Sequence, residues 1–541
     1  MAHGEDGDVT AEYFWLVVFA SIVCIGMSWG IGAIDIATSL ASGIGAKAFT
    51  LKQGVLIIII FEFSGAALLG GKVTETVRTK ITDHHSFDGK EDVLMLGMTC
   101  SLLAATLWLA VASRWEIPIS SAHSIIGGIV GFTVVSEGAG AVEWGLLLYI
   151  AVFWVISPAL TSCISIAFFV PMRKWLLRRE DAWEHTLRTW PVFVFIVVWI
   201  GAIFIFLEFH AMEHALWMSM ATAIGMAAFF WFALVRSNIL ENYCEAAVAV
   251  EAKREQQRQQ EAAFRAFSTD QEVNVNTVNV ETVGHNHTPN SGESGNETPD
   301  PNELVVDTGA SMKAITASDR NSSFRKLTSI KSLEVDVHEN MDDLEAAIHR
   351  SAEKFDPRIE KAFSILQLAS ASLDNFAHGS NDVANAIAPL ATIWSLYEHS
   401  AIIDQERVPF WMIAGLIAGM IVGLSTYGYR LIRSLGVKMT CLTNTRGYGT
   451  ELSSAVIVIF ASYFGFPASS AHVQVGAIVG TGIAEKIDNE QCTLKWSTLI
   501  NWPLLCEMFV GWILTIICCA ALSGGIFALM VYSPYLGHTC H

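Results

Sequence analysis

Seven apolar runs, near residues 13–33, 52–71, 93–113, 118–136, 143–171, 191–207 and 213–235, are long enough to cross a bilayer, and four more follow near 360–395, 409–433, 451–484 and 498–533. A hydrocarbon core takes about 20 residues of helix to span. Lipid offers no water to unpaired backbone groups, so runs of this kind are confined to bundled helices. The fold expected is an all-α polytopic membrane protein. Composition agrees: 52% of the 541 residues are hydrophobic and 16% charged, with a mean hydropathy of +0.44. The formal charge of -19 excludes nucleic acid as a partner. Ten cysteines are scattered without a CxxC pair or zinc spacing, and they read as packing residues.

Between the two sets of runs the character of the chain changes. EAKREQQRQQEAAFRAF suits a short surface helix, and the Gly/Pro/Asn-rich stretch around TPNSGESGNETPDPNE lacks the apolar content to fold. The expected organisation is a first membrane part with extra connecting helices over 1–235, a cytoplasmic, largely disordered linker over 236–358, and a second membrane part over 359–541. Arg173, Lys174, Arg178, Arg179, Arg236, Arg430, Arg433 and Lys438 follow runs on one side and mark it as cytoplasmic. The acidic N-terminus, lacking Lys and Arg, then lies outside a multi-pass protein of the plasma membrane. Lys72, Arg78, Lys80 and Lys90 fall on the outer side and count against that scheme. Sequons at Asn286, Asn296 and Asn321 sit in the linker and are expected to carry no glycan.

Within the eighth run, GSNDVANA (Gly379 to Ala386) places Asn381, Asp382 and Asn385 where lipid-compatible residues belong. Spacings of three and four put the three side chains on one helical face. An ionisable residue at mid-membrane costs roughly 2.5 to 3.5 kcal/mol, which reads as an ion or substrate pathway. His378, beside this face, is a candidate pH-sensitive contact.

The stretch has a counterpart. GAIDIATS (Gly32 to Ser39) matches GSNDVANA, and IPISSAHSIIGGIVG (Ile117 to Gly131) matches FPASSAHVQVGAIVG (Phe466 to Gly480). Asp35 and Asp382 lie 347 positions apart, His123 and His472 349, so two elements recur in order at nearly one separation. Six runs lie between the Asp-bearing helices, so those helices cross in opposite directions. This predicts two inverted-topology repeats, with discontinuous helices or hairpins at a midplane site. In both copies a proline precedes a serine pair, Ser120/Ser121 and Ser469/Ser470, opening a Gly-rich helix. Serine hydroxyls, first-turn N–H groups and the helix dipole together can hold a tetrahedral oxyanion. As single copies these serines would read as plain caps of re-entrant helices; duplication favours the anion. His123 and His472 read as histidines packed against backbone at a helix start.

At these residues the chain resembles the inorganic phosphate transporter family, whose eukaryotic members are sodium-phosphate symporters. The resemblance rests on FAHGSNDVANAIAPLATIW, GLSTYGYR, TRGYGTEL and FPASSAHVQVGAIVG in the second half, and on FEFSGAALLGGKVTETVR and IPISSAHSIIGGIVGF in the first. It implies sodium ligation by Asp35, Thr38, Asn381, Asp382 and Asn385. It implies phosphate binding by Ser120, Ser121, Ser469, Ser470, Asn381 and Asn385, and coupling roles for the acidic residues Glu62 and Glu451. The first signature departs from the family's pattern, with Ile34 and Thr38 at its two asparagine positions, and Ala122 and Ala471 replace a threonine in each serine segment.

The function expected is sodium-coupled symport of inorganic phosphate by alternating access, with sodium a co-transported ion, no cofactor and no enzymatic activity. A homodimer in the bilayer is compatible with it. Proton-coupled transport of phosphate or sulfate, and a phosphate-sensing receptor signalling through the linker, are the alternatives.

Overall fold

The computed structural model describes residues 13–257, 259–260, 337–338, 341–399, 408–487 and 499–536. The three sequons and the N-terminal tail lie outside these residues. Met1–Glu241 with Ser332–His541 make one compact unit and Asn242–Lys331 a second. Of the second, 242–257 and 259–260 are helical, as the Glu/Gln/Ala-rich composition favours.

Among the described residues there is no strand beyond one isolated bridge, Thr82 to Val142. In chain order the longer helices of the large unit are α1 (Phe14–Gly45), α2 (Leu51–Leu69), α3 (Glu91–Trp115), α4 (Ser121–Ser136), α5 (Trp144–Leu177), α6 (Ala182–Phe209), α7 (Met212–Arg236), α8 (Pro357–His399), α9 (Phe410–Lys438), α10 (Asn444–Tyr463), α11 (Ser470–Ala484) and α12 (Trp502–Leu536). Eight of them, α1, α2, α3, α5, α6, α7, α9 and α12, are long and apolar enough to span a bilayer. The protein is thus a multi-pass membrane protein.

Local signals set the boundaries. Thr50 and Gln53 close a capping box at the start of α2, each satisfying a backbone N–H at the turn. α3 carries Glu91 and Asp92 in its first turn and Arg114 in its last, matching the helix dipole. α6 begins nine residues ahead of its apolar run, because its first turns are polar. α8 is one helix of 43 residues, about 65 Å long at 1.5 Å per residue, and overshoots any bilayer core. The apolar run 451–484 resolves into two helices, α10 and α11, split at Gly465 and Pro467. Within the stretch read as linker, Asp343–Ser351 is a capped helix with Ile348 buried, its box closed by Asp342 and Glu345.

Burial sorts the helices into layers. In α1 and α3 61% of the most apolar window is buried, against 17% in α6 and 11% in α7, which belong to the lipid-facing layer. α8 runs through the interior, packed against α1, α2, α3 and α10.

Two helical hairpins, α3–α4 and α10–α11, enter this interior. Both turns use a left-handed residue at the matched position, Glu116 at φ 62° and Gly465 at φ 73°. Only glycine adopts that region without a Cβ penalty of about 1–2 kcal/mol. Gly465→Ala should therefore lower the thermal unfolding temperature in detergent, by an amount equivalent to about 1–2 kcal/mol. Glu116→Gly, at the equivalent place, should lower it little or not at all. Equal losses from both substitutions would show that the two turns are not conformationally equivalent.

Candidate substrate site

The interior turns of α8 carry a column of polar side chains. Asp374, His378 and Asp382 recur one turn apart, and all are buried. His378 bridges two helices: Nδ1 lies 2.7 Å from Glu62 Oε1 of α2, and Nε2 lies 2.8 Å from Asp382 Oδ2. A glycine at 379 makes this possible, since a Cβ there would collide with the Glu62 carbonyl. Glu62 itself ends a π-helical turn, Ile58–Glu62, that swells α2 toward the site.

The hairpins converge on the same column. The Ser470 hydroxyl, first residue of α11, donates to Asp382 Oδ2. Asn385 Nδ2 donates to Asp382 Oδ1 at 3.3 Å and to Ser121 Oγ, first residue of α4, at 3.1 Å. Two helix N-termini, one from each hairpin, thus meet across one carboxylate and one amide. Ser120 and Ser469 stand just outside as N-caps, each hydroxyl accepting from the backbone N–H of His123 or His472, at 3.4 and 3.3 Å. In each pair the first serine closes its own helix and the second faces the site.

Asp35 comes to the same place from α1, in a π-helical turn, Gly32–Ile36. It faces the hydroxyl and backbone N–H of Ser121, with Asp382 and His378 nearby, and no donor other than Ser121 reaches its carboxylate among the described residues. Asn385 Oδ1 and Glu62 Oε2 lack a donor among them. Buried oxygens without donors are costly. A hard cation satisfies several carboxylate and amide oxygens at once, so the donor set fits a bare metal cation such as sodium.

The remaining expected residues are placed differently. Asn381 is committed to the α10–α11 turn: its Oδ1 accepts from the Ala468 N–H at 3.0 Å, while Nδ2 donates to the Phe466 carbonyl and Ser462 Oγ at 3.0 and 3.1 Å. The Thr38 hydroxyl donates to the Ile34 carbonyl, 2.8 Å away in its own helix. Glu451 belongs to a separate group, accepting from Ser42 Oγ and Ser370 Oγ at 2.6 Å each and from Gln367 Nε2 at 3.2 Å.

Comparison with known proteins places the chain in a family. Residues 31–523, most of the chain, match the phosphate transporter family. The chain belongs to that family. It is a transporter of phosphate, not an enzyme. It is similar to the phosphate-repressible phosphate permease of Neurospora crassa, with 27% identity across 98% of this chain and 100% of that one. A protein of Plasmodium falciparum named sodium-dependent phosphate transporter is 25% identical over 97% of this chain and 98% of its own. Sodium-dependent phosphate transporter 2 of Bos taurus is 25% identical over 96% and 98%. A solved structure of a sodium-dependent phosphate transporter shares the fold, with a TM-score of 0.66 and 22% identity, covering 96% of this chain and 99% of that one.

Several polar groups of the transporter's interior escaped the sequence reading. Asp374 was legible from its spacing to His378 and Asp382. Gln367, Ser370 and Ser42, which hold Glu451, belong to no signature in the sequence. The Arg446 of TRGYGTEL is fully buried and pairs with Glu485 at 2.6 Å, far along the chain from it. His123 packs its ring on the Trp154 indole, not on backbone, with centroids 3.8 Å apart.

Replacing Asn381 by the near-isosteric leucine should leave the Ala468 N–H and Phe466 carbonyl without partners. Each orphaned group costs about 1–3 kcal/mol. The expected outcome is a clear drop in thermal stability and in phosphate uptake together. Wild-type stability in Asn381→Leu would show that the turn does not depend on this amide.

Proposed function

We propose that the transporter carries inorganic phosphate together with sodium by alternating access, with the opposed starts of α4 and α11 as the anion side of the site. One observation carries this reading. The Asp35 carboxylate, reached only by Ser121, and the donor-less Oδ1 of Asn385 lie beside the helix N-termini among the described residues, so acceptors suited to a cation adjoin donors suited to an oxyanion. Relatives named as sodium-dependent support sodium as the cation. The cation offsets the charge of phosphate, and binding of each favours the other.

The two signatures and two serine segments are proposed to be inverted-topology repeats facing each other near the bilayer midplane. Matched placement supports this: Asp35 and Asp382 share one pocket, and Ser121 and Ser470 approach the same pair of side chains. The orientation proposed keeps the N-terminus outside and the linker cytoplasmic in the plasma membrane. If sodium charge exceeds phosphate charge, each net charge moved is worth about 2.3 kcal/mol per 100 mV.

Proton coupling is the second reading, and His378 favours it. An imidazole bridging Glu62 and Asp382 has the geometry of a proton relay. Labelled phosphate uptake into proteoliposomes separates the two, with sodium replaced by choline or a proton gradient imposed. The sodium reading expects uptake to collapse in choline. It also expects Asp382→Asn to reconstitute normally and lose uptake about a hundredfold, the cost of roughly 3 kcal/mol for breaking a buried charge contact. Sodium-independent uptake driven by protons, or full activity in Asp382→Asn, would overturn it.

A further inference from the structure

Two buried tryptophans lie behind the hairpin tips. Trp154 belongs to α5, which follows the first hairpin, but its indole N–H donates to the Pro467 carbonyl in the turn of the second, at 2.9 Å. Trp512 belongs to α12, which follows the second hairpin, and donates to the Pro118 carbonyl in the turn of the first, also at 2.9 Å. Each proline lies two residues before the capping serine of its hairpin.

The ring faces point the other way. His123 of the first hairpin stacks edge-on against Trp154 at 3.8 Å between centroids, and His472 of the second lies on Trp512 at 3.7 Å. The two imidazoles are themselves 4.6 Å apart, and His472 Nδ1 lies 3.2 Å from the Trp154 carbonyl. Each indole therefore holds one hairpin by its N–H and the other by a ring contact. A continuous chain of contacts, Pro118–Trp512–His472–His123–Trp154–Pro467, joins one turn to the other. The helices reinforce it: α4 lies along α12 with Gly131 against Ala520, and α11 along α5 with Gly480 against Ser162.

We infer that Trp154 and Trp512 are positioning residues that form a crossed brace, fixing the spacing of the two anion-facing helix starts and coupling the hairpin tips to each other. Each indole N–H is committed to a turn carbonyl and not to the Asp382 group. Their effect passes through the turns to Ser121 and Ser470, whose separation sets the size of tetrahedral anion the site accepts. The inference rests on the phosphate reading of those helix starts. Without the brace, the tips shift independently, and the cage loses both affinity and size discrimination.

The test is phosphate uptake driven by an inward sodium gradient into proteoliposomes of wild type, Trp154→Phe, Trp512→Phe and Trp190→Phe. Phenylalanine keeps an aromatic face and removes the N–H. Trp190 is a control, a buried indole bonded at 3.3 Å to the Ala362 carbonyl away from the tips. Loss of one neutral hydrogen bond predicts a KM for phosphate raised about three- to tenfold in either brace variant, with Vmax changed less. Discrimination against the larger arsenate should weaken in both, and Trp190→Phe should change neither. The double variant should show less than the product of the single effects, because each indole bridges both tips. Unaltered KM and arsenate discrimination in a transporting brace variant overturn the inference. Absence of sodium-dependent uptake in the wild type instead overturns the functional reading. Hydrogen exchange of the wild type tests the coupling without any substitution. Phosphate with sodium should slow peptides covering 117–125 and 466–474 together, and slowing of one alone refutes the brace.

Discussion

Burial of the Asp382 carboxylate is the constraint around which the interior is arranged. A charge so placed demands partners from every side, and it recruits them from four helices: His378 and Asn385 of its own α8, Ser470 at the start of α11, Ser121 of α4 through Asn385, and, through His378, Glu62 of α2. The two hairpins are drawn to the same point by these bonds. Asp35, brought in from α1, is reached only by Ser121 among the described residues. The cluster is thus polar but incompletely satisfied, which is what the proposed cation would complete.

The two halves reach this pocket by different means. In the second, Asn381 clasps its hairpin turn with three hydrogen bonds, while the matching residue of the first is Ile34, which can make none. In the first, the backbone around Asp35 widens into a π-helical turn, whereas α8 remains α-helical through Gly379 to Ala386. The difference between the signatures therefore concerns how a hairpin is held and how a carboxylate is aimed, more than how many ligands each supplies. The turn that lacks a clasping asparagine still has Trp512 on its Pro118 carbonyl.

Much of this was legible because the chemistry is duplicated. Ser120 and Ser469 announce helix starts by their spacing to the following apolar run, and both are N-caps in the fold. Glycine at 465 and the proline two residues later mark a break that run length alone concealed, since the flanking helices are both apolar. Glu116, in contrast, gives no hint of a left-handed turn, and only its match to Gly465 in the other copy suggests one. The partners of Glu451 were illegible for another reason. Ser42, Gln367 and Ser370 come from two helices and meet only through packing, so no spacing within either segment encodes the group.

The second acidic cluster sharpens how the interior is divided. Glu451 finds three donors and is satisfied by neutral side chains, so it imposes no demand for a cation. Asp35, on α1, lacks such a set, and with Asp382, which Ser470 and Asn385 reach, it places two carboxylates near a single imidazole. Like charges this close call for an added positive charge, and the helix N-termini that approach from the opposite direction supply only partial ones. A cation bound among the oxygens would leave those dipoles free to face an anion. In the proposed symport, cation and anion complete one another's electrostatics and neither is well accommodated alone, which would couple the two substrates in a single site.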